Sequence, residues 1–117
     1  MGNKAKPQEE RWTAERCYIK ELLNSDSQPE VSLARVRVEP GVTTQLHRLS
    51  VFEWYVIEAG HGLMHVGDEA PFPVGAGDTV AIAKNIAQRI SNTGGKDLRF
   101  LCVCTPKFSQ KCYTSLE

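Results

Sequence analysis

From Arg16 onward, apolar and polar positions alternate in short β-branched and aromatic runs at roughly 17–22, 31–38, 43–48, 52–58, 62–66, 79–82, 87–91 and 98–104. Between them, Pro40-Gly41, Gly60-His61-Gly62, Pro71-Phe72-Pro73, Gly75-Ala76-Gly77-Asp78 and Asn92-Thr93-Gly94-Gly95 supply turn chemistry, and few gaps could hold a helix. Short strands at this spacing predict an all-β barrel or sandwich. Along 31–38, Ala34, Val36 and Val38 face one way and Arg35 and Arg37 the other. The two arginines read as a solvated or salt-bridged face, with substrate binding as the alternative.

The same alternation groups candidate functional residues. In the third run it sets Thr43, Gln45, His47 and Leu49 on one face and Thr44, Leu46 and Arg48 on the other. Glu53 then opens the apolar strand Glu53-Trp54-Tyr55-Val56-Ile57. A carboxylate facing the core needs a partner to tolerate burial, and a metal or a ligand would supply one. Tyr55 shares that face and could offer its hydroxyl to a ligand, while Trp54 points outward, where a second sheet layer or a subunit interface would cover it. His61 reads as an exposed turn residue; His65 would complete a metal site only in a different register. Met64 and Cys104 read as packing beside the pocket.

The spacing carries a resemblance. Gly41, five residues, His47, one residue, Leu49, three residues, Glu53, six residues and Gly60 resembles the first signature of the cupin superfamily, with Leu49 where a second histidine stands. Gly77-Asp78 followed by Ala83, Asn85, Gln88 and Asn92 is similar to the second signature. There Ala83 replaces a proline, Asn85 a glycine and Gln88 the third histidine. The stretch from Leu98 to Phe108 resembles the end of small single-domain cupins, some labelled mannose-6-phosphate isomerase-like.

The resemblance implies a double-stranded β-helix, two antiparallel sheets in a jelly roll whose ligand pocket opens at one end of the barrel, and a homodimer. It also implies one divalent transition metal, Fe, Mn, Ni, Cu or Zn, held by three histidines and a glutamate. Here His47 and Glu53 match in type, and Gln88 could still donate a carbonyl lone pair; Leu49 cannot coordinate. Such an oxygen-rich site is weak for copper, nickel and zinc and tolerable to manganese or iron(II). Its open positions would let the metal polarise a carbonyl or activate water. The alternative is a degenerate site that binds an organic ligand without metal, with a His47–Glu53 pair in which each partner favours the other's charged form.

Composition and charge then restrict the setting. The 117 residues suit one domain, read as a cupin domain over 15–117 after a disordered or extended arm over 1–14. Fourteen basic and 14 acidic residues leave no net charge, which argues against nucleic acid or an anionic membrane as partner and for a small-molecule ligand. No signal-peptide stretch or membrane-length apolar run is present, so a cytoplasmic protein is expected. Met1-Gly2 begins like a myristoylation signal, but Lys6 stands where Ser or Thr is required. In a reducing compartment Cys17, Cys102, Cys104 and Cys112 read as free, packed thiols, and no zinc or redox spacing joins them.

Two function classes follow. The first is a metal-dependent enzyme acting on a small polar metabolite by isomerase or dioxygenase-type chemistry. It would use His47, Glu53 and Gln88 as ligands and Gln45 and Tyr55 to orient substrate. The second is a non-catalytic module that binds or senses a small ligand.

Overall fold

The computed structural model describes residues 2–117. Their strands, in chain order, are β1 (Arg11–Trp12), β2 (Tyr18–Leu23), β3 (Ser32–Val38), β4 (His47–Leu49), β5 (Phe52–Ala59) and β6 (His61–Val66). They continue with β7 (Phe72–Gly75), β8 (Thr79–Ile82), β9 (Gln88–Asn92), β10 (Leu98–Thr105) and β11 (Tyr113–Ser115), and a single 3-10 turn covers Gln110–Cys112. One sheet has the order β1-β2-β3-β10-β5-β8 and the other β11-β4-β9-β6-β7. Every pairing is antiparallel. From β4 to β10 the chain passes repeatedly from one sheet to the other, the jelly-roll winding of a double-stranded β-helix. Among the described residues no helix is long and apolar enough to cross a membrane.

Alternation decides what fills the barrel. On β5, Glu53, Tyr55 and Ile57 are buried between more exposed neighbours; on β10, Leu98, Phe100, Cys102 and Cys104 are buried in the same way. These strands pair along their length, with Cys102 opposite Tyr55 and Cys104 opposite Glu53. A large cluster containing Val36, Ile57, Met64, Ile82, Ile90 and Phe100 fills most of the interior, and a smaller one of Leu49, Val51, Cys104 and Cys112 closes the other region. On the outer face of β3, Arg35 pairs with Glu58 at 3.0 Å, and Arg37 with Glu10 at 2.8 Å and Asp97 at 3.2 Å. The two arginines are thus committed to ion pairs.

Tight corners let the chain change sheets. Gly60 joins β5 to β6 at φ +91°, and a Cβ there would lie 2.9 Å from the Asp97 carbonyl oxygen, so only glycine fits. Asn85, which stands where the resembled signature has glycine, adopts φ +63°, a left-handed conformation that asparagine tolerates better than most residues.

Several local expectations change. Of the run 43–48, only its end joins a regular strand. Thr43 makes an isolated bridge to Ser91, and Thr44 turns inward instead of outward, its hydroxyl accepting the Ile90 N–H at 3.0 Å. That side-chain bond replaces a ladder bond and breaks the two-residue period. Pro71-Phe72-Pro73, read as a turn, runs into β7, which sits at the edge of its sheet, where the missing proline N–H is not needed. Within the arm, Arg11–Trp12 pairs with β2, and the Gln8 N–H donates to the Glu21 carbonyl oxygen at 2.9 Å.

Candidate functional site

Inward side chains of both sheets leave a cavity of about 370 Å³, walled by β3, β5 and β10 on one side, by β4 on the other, and by Arg11–Glu15 at its rim. That volume suits a small metabolite. Its polar lining includes Glu15, Gln45, His47, Glu53, Tyr55 and Tyr113. Arg11 is the one cation among the lining residues, so the interior carries carboxyl groups without a buried positive partner.

His47 is buried on β4 and its ring stacks on Tyr113, with centroids 4.9 Å apart. Its Nδ1 lies 2.8 Å from the Gln45 carbonyl oxygen. A proton on Nδ1 satisfies that contact and leaves Nε2 as an acceptor. Burial lowers the His47 pKa and so favours the neutral ring, opposed by this backbone bond. Nε2 lies 3.9 Å from Glu15 Oε1.

Glu53 is buried, and its Oε1 has no hydrogen-bond partner among the described residues. Its Oε2 accepts from the Cys104 thiol at 3.6 Å. Burial pushes the Glu53 carboxyl up to about 7; the nearby Gln88 amide and the Cys102 and Cys104 thiols oppose this, and the nearby Glu15 adds to it. The mutually charged His47–Glu53 pair expected for a metal-free site is not favoured: the carboxyl within 4 Å of His47 is that of Glu15, and burial shifts the two groups in opposite directions. Desolvation dominates at both residues and favours the neutral form of each.

Gln88 and Tyr55 are engaged with one another. Gln88 pairs with His47 across β4 and β9, but its side chain lies behind the cavity wall, its Oε1 accepting the Tyr55 hydroxyl at 2.7 Å. The Tyr55 ring faces the cavity, stacked on Phe100 with centroids 4.5 Å apart, while the hydroxyl points away to Gln88. Gln45 reaches the cavity; its side-chain oxygen accepts from the Tyr113 hydroxyl. Leu49 lines the cavity as an apolar wall.

These positions fit a metal ion in part. His47 Nε2 and Glu53 Oε1 are free donors, whereas Gln88 would have to release Tyr55 to present its oxygen. Among the described residues no three His, Cys, Asp or Glu side chains converge as ligands. His65 is partly buried on β6 and His61 is exposed, and neither lines this cavity.

The residue that sequence reasoning missed is Glu15. It lies at the end of a charged arm, where alternation gives no signal, and it reaches the cavity because the chain folds back over the rim. Burial pushes its carboxyl up to about 7, opposed by Arg11. Tyr113, from β11, likewise lay beyond every strand read from the pattern.

Comparisons with known proteins agree with this architecture. An uncharacterized protein of Methanocaldococcus jannaschii is 35% identical over 109 residues, covering 90% of this chain and 86% of the relative. Pac13, a nucleoside dehydratase, superposes with a TM-score of 0.80 at 17% identity, over 100% of this chain and 92% of its own; a variant of the Streptomyces protein has been solved with uridine. A Klebsiella pneumoniae protein with a double-stranded β-helix domain gives 0.77 at 16% identity, over 92% of this chain and 90% of that one. Oxalate decarboxylase of Bacillus subtilis gives 0.80 at 20% identity, over 99% of this chain and 33% of that one. At such identities these structures speak for the fold alone. A profile of the cupin domain matches residues 34–104, which contain both signature stretches, and the chain belongs to that family.

Proposed function

We propose that the cavity binds a small, uncharged, hydroxyl-rich metabolite and moves a proton on it, as in an isomerisation or a dehydration. The observation that carries this reading is Glu53, a buried carboxyl with an unpartnered oxygen, tuned to about 7 in the same cavity as an imidazole that burial shifts towards its neutral form. A group poised near the working pH can both take and return a proton. Neutral His47 would accept a ligand hydroxyl at Nε2, while Gln45 and Tyr113 offer further polar contacts. An anionic substrate suits this interior poorly, because the carboxyls of Glu15, Glu21 and Glu53 and no buried cation would meet it. Support also comes from the fold shared with a nucleoside dehydratase, whose ligand uridine is uncharged and hydroxyl-rich.

The test is binding and turnover of neutral nucleosides and sugars at pH 7, read by ligand-observed NMR in D2O. Glu53→Gln is expected to keep binding and to slow deuterium exchange at a ligand carbon about 100-fold or more. Binding of anionic compounds alone, or unchanged exchange in Glu53→Gln, would overturn the reading. Binding without any turnover would instead support the non-catalytic ligand-sensing module.

A second reading keeps one divalent metal, Fe, Mn, Ni, Cu or Zn, on His47, Glu53 and Gln88. It is favoured by the orphaned Glu53 Oε1. A bound ion would supply Lewis-acid polarisation of a ligand oxygen. Elemental analysis of protein purified without chelators checks it: near-stoichiometric metal that disappears in His47→Ala and Gln88→Ala would favour it. In either reading we place the protein in the cytoplasm as a homodimer. The dimer is supported by Phe52 and Trp54, 6.2 Å apart between ring centroids on the outward side of β5, with Phe52 exposed and Trp54 half-buried.

A further inference from the structure

The turn from Thr13 to Cys17 lies outside both signature stretches, yet its backbone is held from several directions. The Thr13 N–H donates to the Cys17 carbonyl oxygen at 3.0 Å, and the Arg16 N–H to the Thr13 carbonyl oxygen at 3.1 Å. The Glu15 N–H donates to Thr13 Oγ1 at 3.3 Å, and the Glu15 carbonyl oxygen accepts the Gln45 N–H at 3.1 Å. Arg16 sits at φ +65°, a left-handed conformation that a long side chain adopts only when its surroundings enforce it. Its guanidinium supplies that enforcement: Nε donates to the Thr43 carbonyl oxygen at 2.9 Å, and the two terminal nitrogens fork onto Glu117 at 3.0 and 2.8 Å. Glu117 also accepts the Leu46 N–H at 2.6 Å.

The result is a side-chain division. Arg16 projects onto the outer surface and Glu15 into the cavity, beside His47. Among the described residues the Glu15 carboxyl makes no hydrogen bond, although its backbone N–H and carbonyl are both tied. The 3.9 Å between Glu15 Oε1 and His47 Nε2 is too long for a direct bond. A ligand oxygen about 2.8 Å from each atom fits across it.

We propose that Glu15 is a catalytic residue of this cavity, contacting a ligand hydroxyl oxygen together with His47, with Arg16 and Glu117 as positioning residues. This rests on the proton-transfer reading above. In the step it serves, Glu53 takes a proton from a ligand carbon and the C–H electron pair becomes a carbon–carbon π bond. The C–O bond on the adjacent carbon breaks with its electron pair going to oxygen, which takes the proton of Glu15 and leaves as water. Glu15 ends ionised and Glu53 protonated, and one proton exchanged through solvent restores both. A carboxyl from outside the signatures thereby supplies a group that the motif positions, with leucine and glutamine in them, do not.

Two measurements test this. The first needs no substrate: in the free protein, nuclear Overhauser contacts are expected between the Glu15 γ-protons and the His47 ring, weakened in Arg16→Gly and in Glu117→Gln. Their absence in the wild type overturns the proposal. The second follows exchange and turnover with uridine and neutral hexoses. Glu15→Gln is expected to lower kcat about 100-fold or more with KM changed less than threefold, at an unchanged melting temperature. Arg16→Gly and Glu117→Gln should lower kcat by smaller factors. Wild-type kcat in Glu15→Gln, alongside an inactive Glu53→Gln, overturns the role of Glu15 and leaves the proton-transfer reading standing. A wild type as inert as Glu53→Gln overturns both.

Discussion

At the level of single residues, burial sets the chemistry of the cavity. Glu53 has an ordinary value of 4.5 and sits near 7 in the folded chain, so folding favours its protonated form. The stabilisation linked to that proton is complete below about pH 4.5 and is lost as the pH rises through about 7, amounting to about 3 kcal/mol. His47 is shifted the other way, so its contribution holds above its ordinary value of 6.5 and falls away in acid. We expect Glu53→Gln to flatten the fall in melting temperature between about pH 5 and pH 8, measured by calorimetry. Tyr55→Phe should cost about 1–3 kcal/mol in urea unfolding, because it strands the Gln88 oxygen inside the wall. Of this site, His47, Gln45 and Glu53 were legible in the sequence, since alternation points them inward. The Tyr55–Gln88 bond was not, because it joins residues on strands of opposite sheets.

At the level of elements, the strand pattern was readable wherever both faces obey the two-residue period. β3, β5 and β10 appear within a residue or two of where apolar alternation puts them. β4 is shorter than its pattern because the Thr44 hydroxyl takes over a ladder position, and β7 was hidden by prolines that an edge strand tolerates. The corners carry their own prediction. Gly60→Ala would force a methyl to within 2.9 Å of the Asp97 oxygen and 3.0 Å of Leu98 Cα, both backbone atoms that cannot swing aside. A loss of about 2 kcal/mol or more is expected, checked by denaturant titration, with a slope like that of the wild type. Asn92 binds its corner through the Val38 and Lys96 carbonyls and the Gly94 N–H. Asn92→Ala should therefore destabilise by a similar amount.

At the scale of the whole molecule, the barrel is closed by contacts between distant parts of the chain. Arg16 meets Glu117, and β3 pairs with β10. Such non-local topology predicts slow folding, in milliseconds to seconds, observable as a single exponential by stopped-flow fluorescence of Trp12 and Trp54. If the outward side of β5 is the dimer contact, sedimentation should show a dimer that Trp54→Glu converts to monomer with the melting of the isolated barrel retained. The family was legible because its signature spacing fixes where strands and corners fall. The rim was not, since nothing in Arg11–Cys17 alternates and its placement depends on Thr43, Gln45 and Glu117 far along the chain.

All four cysteines are buried and unbridged, and burial pushes the thiol of Cys17 up to about 12 and raises those of Cys102 and Cys104 as well. A thiol reagent too large for the cavity can modify them only after the strands part. Their labelling rate in native buffer is therefore a clock for spontaneous opening of the barrel. A cavity ligand should slow Cys102 and Cys104, which line its wall, more than Cys112, which lies outside it. The protein thus carries its own reporter of occupancy, one that works before any substrate has been named.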